Sequence, residues 1–323
     1  MSVLQELKEQ IRVALPDLDM VLGWEQGFDS AHMRPLYIRE EQDIERLVLN
    51  PLCVHSLATY LPGLLRGGGN EKKVGIVVKG CDSRAVIQLI QENLIPRERV
   101  VMFGFGCNGI VSLQKIEAIA GDSGYMESVE FTGDKVVVSV DGKKTEIPMA
   151  DVASGKCATC RHHNAIDADH FAGPRAEDGE VPAKHPTLEE FEKLSLPERF
   201  AFWQEQMRRC VRCYACRNTC PMCVCRDHCI ATSRDPHWLS QDTNTAENFM
   251  FQMIHVMHLA GRCVECGECE RACPLDIPIM LLRRSMNESV KELFDYSSGT
   301  DKDATPPLLT YKVEEETINE RGW

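Results

Sequence analysis

The sequence predicts an α+β protein in which an N-terminal α/β domain precedes an all-helical C-terminal domain. Strand and helix signals alternate between residues 74 and 120, which favours a small parallel or mixed sheet. Alternating apolar residues between 128 and 147 favour an antiparallel meander. After residue 186 the apolar residues recur with helical spacing. These three observations place a change of architecture in the second half of the chain.

The first domain is predicted over residues 1–185. Buried strands at 74–78 and 100–104 are each followed by a helical pattern, at 83–94 and 110–120. Strands that alternate with helices pair in parallel. Further elements are expected as follows: helices through Leu4, Leu7 and Ile11, at 44–49 and at 53–61, a loop at 67–70, and meander strands at 128–131, 135–140 and 144–147.

The second domain is predicted over residues 186–296. A segment rich in proline, glycine and charge at 173–186 marks the boundary. The helices are expected at 188–207, 246–259 and 279–294. The remaining residues, 297–323, are polar and contain proline, so we expect an extended tail that lies across a partner.

Composition and charge narrow the classes of function. The 323 residues include 36 basic and 49 acidic side chains, and the net charge of −13 disfavours nucleic acid and anionic membranes as partners. Residues 1–10 lack the apolar core of a signal peptide, and the apolar segment 249–261 is too short to span a bilayer. Sixteen cysteines favour metal ligation over disulfides. We expect a cytoplasmic protein without direct membrane insertion.

Eight of the cysteines form two copies of the pattern C-x2-C-x2-C-x3-C-P. This is the ligand spacing of a ferredoxin with two 4Fe-4S clusters, in which the last cysteine of each run serves the other cluster. Zinc is the alternative for a single run, although zinc sites usually separate their ligand pairs more widely. The predicted ligand sets are Cys210, Cys213, Cys216 and Cys273 for the first cluster, and Cys263, Cys266, Cys269 and Cys220 for the second. We expect an electron-transfer protein.

Four further cysteines lie beside the predicted sheet. Cys81 and Cys107 end the two parallel strands, and the pair Cys157 and Cys160 follows the meander. Because the carboxyl ends of parallel strands meet at one edge of a sheet, these four thiols can bind a third 4Fe-4S cluster. Packing of a buried thiol in the core is the alternative for Cys81 or Cys107 alone.

The last four cysteines, Cys53, Cys223, Cys225 and Cys229, allow a fourth cluster. Here too, three thiols lie on a short loop and one is remote. The alternatives are a zinc site completed by His228 or His237, and thiols that only pack around the helical domain.

Two resemblances add to this interpretation. The long interval between the two cysteine runs is similar to that in the helical ferredoxin domains of succinate dehydrogenase iron-sulfur subunits and heterodisulfide reductase subunits. The motifs V-K-G-C at 78–81, G-F-G-C at 104–107, C-A-T-C at 157–160 and A-D-H-F-A-G at 168–173 resemble the beta subunits of deazaflavin-reducing hydrogenases and of formate dehydrogenases.

The second resemblance implies several functional properties. In that family the equivalents of Cys81, Cys107, Cys157 and Cys160 belong to a cluster beside an FAD, which exchanges electrons with a deazaflavin coenzyme. The resemblance implies a hetero-oligomer with a formate dehydrogenase or hydrogenase catalytic subunit and with heterodisulfide reductase-like subunits. This sequence departs from the deazaflavin-binding members where Lys79-Gly80-Cys81 replaces their usual Thr-Pro-Cys.

Other motifs are interpreted as structural. Gly104, Gly106 and Gly109 form the pattern G-x-G-x-x-G, but no acidic ribose ligand ends the next strand, so we expect these glycines to allow close backbone approach. Asp82 and Ser83 are expected to cap the helix after the first strand. His255 and His258 are expected to pack near the clusters. The cations expected to offset cluster charge are Lys156, Arg209, Arg212, Arg217 and Arg226.

The sequence thus favours an electron-transfer beta subunit without catalytic residues of its own. It would relay electrons between a formate dehydrogenase or hydrogenase and a heterodisulfide reductase-like flavoprotein complex. The first alternative is an FAD-containing subunit that itself reduces or oxidises a deazaflavin or another soluble carrier. The second is a structural module in which some cysteines hold zinc.

Overall fold

The computed structural model describes residues 1–65, 73–121, 124–177, 183–225, 229, 231, 239–240 and 242–310. The strands are β1 (Leu18–Gln26), β2 (Met33–Ile38), β3 (Lys73–Val78), β4 (Val100–Phe105), β5 (Ser128–Thr132), β6 (Lys135–Val140), β7 (Lys143–Pro148) and β8 (His170–Ala172). The α-helices are α1 (Val3–Ala14), α2 (Leu61–Leu65), α3 (Gly80–Gln91), α4 (Leu113–Ala120), α5 (Met149–Val152), α6 (Pro186–Glu192), α7 (Leu196–Arg209), α8 (Ala215–Asn218), α9 (Thr245–Met257), α10 (Glu268–Arg271) and α11 (Ile279–Phe294).

The first domain is built on a mixed five-stranded sheet with the order β2-β1-β3-β4-β8. Strand β2 is antiparallel to β1, and the pairs β1–β3, β3–β4 and β4–β8 are parallel. The predicted parallel strands correspond to β3 and β4, at the centre of this sheet. Their carboxyl ends lead directly to Cys81 and Cys107. The fold class predicted from the sequence is confirmed.

The hairpin β1–β2 escapes the sequence analysis because its polar residues interrupt the expected alternation. Glu25 lies in β1 and is only 8% exposed. Its carboxylate accepts hydrogen bonds from Arg34 at 2.9 Å and from Arg46 at 2.8 Å. A carboxylate held by two guanidinium groups can lie in a nearly buried strand, although its sequence resembles a surface segment.

Helix α3 begins three residues earlier than predicted. The Asp82 carboxylate accepts from the backbone N–H of Lys79 at 3.5 Å, and the Ser83 hydroxyl donates to the Gly80 carbonyl at 2.8 Å. The capping role expected for Asp82 and Ser83 is therefore present. Helix α4 begins later than predicted, at Leu113, because the backbone of the preceding residues pairs with other segments: Val111 N–H donates to the Pro51 carbonyl.

The helix predicted at 53–61 is largely wrong. The chain forms 3-10 helices at Glu41–Arg46 and Leu57–Tyr60, with a turn between them. The Asn50 side chain accepts from the N–H of Leu52 at 2.9 Å, and its carbonyl accepts from Cys53 N–H at 3.0 Å. Such local side-chain bonds offer the backbone an alternative to a helix.

The meander is confirmed as an antiparallel sheet with the order β5-β6-β7. Asp141 and Gly142 both have positive φ, 49° and 72°, as a two-residue turn between twisted strands requires. The loop predicted at 67–70 lies outside the described residues.

In the second domain the helix predicted at 188–207 is two helices, α6 and α7. Ser195 and Glu198 form a capping box at the start of α7, with Pro197 in its first turn, so the chain restarts there. The other two predicted helices correspond to α9 and α11. Within the described residues, no helix combines the length and apolar character that a membrane span requires.

The two domains share a buried interface. Leu259, Val264 and Cys266 of the second domain join the larger hydrophobic core, which is otherwise formed mainly by the first domain. The Arg262 guanidinium forms a bidentate ion pair with Glu92 at the end of α3, with distances of 2.9 and 2.5 Å. A smaller core, which includes Trp203 and Phe251, lies within the second domain. The domains are therefore held in a fixed relation.

The described part of the tail lies against α3 of the same chain. The Arg84 guanidinium donates to the Ser298 carbonyl at 2.9 Å, and the Gln91 amide donates to the carbonyls of Asp301 and Ala304 at 2.6 and 2.5 Å. Residues 311–323 lie outside the described part. The expected contact of the tail with a partner stays a prediction.

Candidate metal centres

The two cysteine runs fold into matching loops. Two positions have positive φ in both runs: Arg212 and Glu265, at 47° and 56°, and Tyr214 and Gly267, at 62° and 72°. Each loop then enters a short helix, α8 or α10, and these two helices pack against each other. The sequence repeat is therefore a structural repeat with the same backbone in both copies.

This backbone suits a metal-sulfur cluster. Left-handed residues turn successive N–H groups towards the inside of a loop, where they can donate to anionic sulfur. The N–H of Arg212 donates to Cys210 Sγ at 3.4 Å, and the N–H of Ile277 donates to Cys273 Sγ at 3.4 Å. Hydrogen bonds to cluster sulfurs stabilise the anionic thiolates and tune the reduction potential.

The predicted first ligand set is brought together. Burial raises the pKa of Cys210, and the neighbouring thiols of Cys213 and Cys273 raise it further. Burial likewise raises the pKa of Cys216 to about 11, with Cys210 and Cys273 adding to the rise. A protein that buries four thiols side by side disfavours their thiolates unless a metal takes the place of the protons.

The second set lies against the first. Burial raises the pKa of Cys263 to about 11, and the nearby Cys220 adds to this rise. Burial also raises the pKa of Cys266 and Cys269, again with Cys220 among the neighbouring thiols. Cys220 thus lies with the three cysteines of the other run, as the ferredoxin pattern predicts. The assignment of ligands to clusters stays a prediction.

The third predicted set lines a cavity of about 780 Å³ between the domains. Cys81 lies in the first turn of α3, Cys107 follows β4, and Cys157 and Cys160 belong to a 3-10 turn that begins at Gly155. Burial raises the pKa of Cys107, with Cys157 and Cys160 adding to the rise. Burial raises the pKa of Cys81 to about 11, with Cys107 among its neighbours.

Glycine makes the close approach of these segments possible. A Cβ on Gly80 would lie 1.7 Å from the main-chain oxygen of His162, so only glycine lets α3 meet the loop of Cys160. Gly104 and Gly106 face Ala165 and the backbone of Ala176 at 2.5 and 2.8 Å. The glycines of the G-x-G-x-x-G pattern therefore serve packing, as expected.

Two buried lysines connect the cavity with its surroundings. The Lys79 ammonium pairs with Asp82 at 2.8 Å and lies 4.2 Å from the centre of the Trp24 ring. The Lys156 ammonium donates to the carbonyl of Cys266 in the second ferredoxin loop. Burial alone would lower the pKa of Lys156, but the charges around it, with Cys81 the largest contributor, hold the pKa above its usual value. Both lysines stay charged beside the third cysteine set.

The other predicted cations contact main-chain carbonyls around the loops. Arg209 donates to the Leu275 carbonyl, Arg212 to the Ser240 carbonyl, and Arg217 to the Cys225 carbonyl. Arg226 lies outside the described residues. The sequence analysis missed Arg283 of α11, which is 2% exposed and lies between the cysteine runs. A charged residue in the middle of an amphipathic helix gives no sequence signal of this kind.

The fourth predicted set is spread over two places. The Cys53 thiol is 1% exposed and lies 3.7 Å from both the Val48 carbonyl and the Asn50 side chain. Cys223 and Cys225 line a second cavity, of about 310 Å³, together with Cys220. The rival zinc ligands His228 and His237 lie outside the described residues. Binding of a fourth cluster stays a prediction.

Cys223 instead contacts the buried face of α9. Its Sγ lies 3.4 Å from His255 Nε2. The Gln252 amide of the same helix donates to Cys216 Sγ at 3.8 Å. His255 is buried near the predicted clusters as expected, and it adds a polar contact to the packing role.

Within the described part of the chain, no three His, Cys, Asp or Glu side chains lie close enough to hold a single metal ion. A cubane is larger, because each of its four irons takes its own thiolate. Thiols that face one another across a loop without meeting at a point therefore fit a 4Fe-4S cluster better than a mononuclear zinc site.

Comparison with known proteins supports these observations. Residues 206–277 match the family described as "4Fe-4S dicluster domain". Residues 71–181 match the family described as the C terminus of the beta subunit of "Coenzyme F420 hydrogenase/dehydrogenase". The second range includes the third cysteine set, and the first includes both cysteine runs.

The chain is 24% identical to the F420-dependent formate dehydrogenase subunit beta of Methanocaldococcus jannaschii, and the alignment covers 90% of each chain. It is also 24% identical to the F420-dependent formate dehydrogenase 1 subunit beta of Methanococcus maripaludis, over 90% of this chain and 89% of that one. A chain of the F420-reducing NiFe hydrogenase complex from Methanosarcina barkeri aligns with a TM-score of 0.39 and 18% identity, over 50% of this chain and 62% of that chain. The chain therefore joins a beta-subunit domain of the coenzyme F420 hydrogenase/dehydrogenase family to a C-terminal 4Fe-4S dicluster domain.

Proposed function

We propose that this chain relays electrons within a complex, from the catalytic component of a formate dehydrogenase or hydrogenase to a heterodisulfide reductase-like flavoprotein. The observation that carries the proposal is the contact of Lys156 with Cys266. Lys156 precedes Cys157 of the third cysteine set, and Cys266 belongs to the second ferredoxin set. The two sites are thus adjacent across the domain interface.

The arrangement gives the relay an order. The third set lies at the interface, the set of Cys263, Cys266, Cys269 and Cys220 lies next to it through Lys156, and the first set lies beyond. Cys216 of the first set is among the neighbours that raise the pKa of Cys269 in the second, where burial is the larger cause. Each 4Fe-4S cluster would supply one-electron transfer, and the protein would supply thiolates, N–H donors and a fixed separation.

The partners and location follow from the relatives and from the composition. The two methanogen relatives are named as beta subunits of formate dehydrogenases, which supports a hetero-oligomer with a catalytic partner. The helical dicluster domain, which resembles that of heterodisulfide reductase subunits, supports the second partner. The sixteen cysteines, all of them free thiols, support a reducing cytoplasm.

Replacement of one ligand in each ferredoxin set tests the relay. We expect Cys213→Ser and Cys266→Ser each to abolish electron delivery in the reconstituted complex while the complex still assembles. The control is Arg208→Gln on the exposed face of α7, where the arginine only pairs with Glu205. Unchanged turnover in a variant whose cluster is lost would contradict the proposal.

A second candidate function is supported by the cavity itself. Its volume of about 780 Å³ falls in the range of small-molecule sites, and the cations Lys79, Arg84 and Lys156 line it. Such a site suits an anionic cofactor such as FAD beside the third cluster, in a subunit that itself reduces or oxidises a deazaflavin or another soluble carrier. A flavin absorbance band in acid-extracted, anaerobically prepared protein would support this function. Full iron content without flavin would contradict it.

Metal analysis decides the number of clusters. We propose a third cluster at Cys81, Cys107, Cys157 and Cys160, and a fourth at Cys53, Cys223, Cys225 and Cys229. About sixteen irons per chain would support four clusters, and about twelve would support three. Stoichiometric zinc would favour the rival zinc site at the fourth set.

A further inference from the structure

A polar layer separates the two ferredoxin sites. We define it as Gln252 and His255 of α9 with Arg283 of α11, two helices that pack against each other. Gln252 and His255 are 2% and 4% exposed. Gln252 contacts Cys216 on one side, and His255 contacts Cys223, next to Cys220, on the other. The layer therefore faces cysteines of both cluster sites.

Arg283 is the charged member of this layer. Its Nη1 donates to the His255 carbonyl at 2.6 Å. Burial lowers the pKa of His255 well below its usual value, and the charge of Arg283 lowers it further, so the imidazole is neutral. A guanidinium stays protonated in any protein environment. The layer thus places one fixed positive charge between the two runs.

This charge lacks a protein counter-ion. No carboxylate of the described residues lies within ion-pair distance of Arg283, and among those residues its Nη2 has no hydrogen-bond partner. Its neighbour Arg284, in contrast, faces Glu265 at 3.8 Å. An unpaired buried charge is costly, and proteins normally satisfy it with an opposite charge. The groups that remain beside Arg283 are cysteines of both cluster sets.

The same cysteines respond to its charge. Burial raises the pKa of Cys263 to about 11, and Arg283 is the largest influence that opposes the rise. Arg283 opposes burial in the same way at Cys269, and it also acts on Cys216 and Cys220. One cation therefore reaches two ligands contributed by each run.

We infer that Arg283 is the shared counter-charge of the two ferredoxin clusters and sets both reduction potentials together. Thiolate-bound clusters are anionic, and each electron adds negative charge, so a nearby cation stabilises the reduced state more than the oxidised state. Because the cation lies between the sites, it raises both potentials and keeps them close. Electrons can then pass between the clusters in either direction. This inference rests on the two ferredoxin clusters of the proposed function.

The test is a redox titration of anaerobically prepared full-length protein, followed by EPR. Arg283→Gln keeps a donor for the His255 carbonyl but removes the charge, and Arg283→Lys keeps the charge. We expect Arg283→Gln to lower both potentials, with at least a tenfold fall in each one-electron equilibrium constant, or about 59 mV. We expect Arg283→Lys to stay close to wild type. The matched control is Arg208→Gln, which removes one exposed charge from α7 and should leave both potentials unchanged.

Each outcome decides the inference. Two clusters with wild-type potentials in Arg283→Gln would overturn it and leave the relay intact, whereas absence of both EPR signals from wild-type protein would refute the proposed function itself. A shift of only one cluster would also overturn the shared role. If Arg283→Gln binds too little iron, Arg283→Lys decides: full iron with wild-type potentials supports the inference, and loss of iron or lowered potentials overturns it.

Discussion

The Lys156 ammonium crosses the domain interface and donates to the main-chain carbonyl of Cys266. Its aliphatic stem lies over Gly267, where an added Cβ would be 2.8 Å from Lys156 Cδ. The equivalent position of the other run is Tyr214, which has similar φ but carries a side chain. The two loops share a backbone, and they differ here because one of them is covered by the first domain. The second loop is thereby marked as the entry point from the interface site.

Replacement of Lys156 by Met tests this contact. The variant keeps the stem but removes the charge and the hydrogen bond. We expect electron transfer from the third cluster to the second to slow about tenfold, since a charge-assisted hydrogen bond contributes about 1.5–3 kcal/mol. Rapid-freeze EPR of the two clusters after addition of a reductant measures the rate. Lys115→Met is the control, because Lys115 also donates to a carbonyl but lies in exposed α4. A wild-type rate in Lys156→Met with every cluster present would contradict the prediction.

Replacement of Gly80 by Ala should disrupt the third site. The new Cβ would overlap the main-chain oxygen of His162, so either α3 or the loop of Cys160 must move. Overpacking against backbone costs about 1–3 kcal/mol or more. We expect the iron content to fall by about four per chain while the ferredoxin EPR signals remain. Gly155→Ala is the control, since a Cβ there meets nothing within 4 Å although it lies on the same cysteine turn. Equal iron loss in both variants would show that the close approach is not the cause.

The sequence predicted the parts of this protein that repeat or alternate regularly. The two cysteine runs, strands β3 and β4 and the meander carry short-range patterns, so they could be placed from spacing alone. Strand β1 could not, because Glu25 reads as exposed until Arg34 and Arg46 are known to hold it. Arg283 could not either, since its burial depends on the packing of α11 against α9, which lie far apart in sequence. Tertiary contacts decide both, and spacing does not encode them.

The stability of the linker region should depend on pH through His185. Its neutral Nδ1 accepts from the N–H of Thr187 and so caps α6. Burial lowers the pKa of His185 below its usual 6.5, and the charge of Arg284 adds to the effect. Between the folded pKa and 6.5 the unfolded chain binds more protons, so this contribution is complete above 6.5 and is lost as the pH falls below it.

We therefore compare wild type with His185→Asn, which caps without titrating. A helix cap contributes about 1 kcal/mol. The free energy of unfolding, measured by anaerobic urea denaturation, should differ between the two proteins by a constant amount above about pH 7 and should favour the variant increasingly towards about pH 5.5. A difference that does not vary with pH would show that the histidine does not titrate in this window.

The exchange of the last cysteine between the two runs can be tested by the identity of the lost signal. Cys220 follows the first run in sequence but lies with Cys263, Cys266 and Cys269 in space. Cys220→Ser should therefore remove the same EPR signal as Cys266→Ser, and Cys273→Ser should remove the same signal as Cys213→Ser, with about four irons lost in each case. If Cys220→Ser instead removes the signal that Cys213→Ser removes, each run binds its own cluster and the exchange is wrong. If Cys220→Ser retains both signals, the adjacent Cys223, which is hydrogen-bonded to Cys220, supplies the ligand in its place.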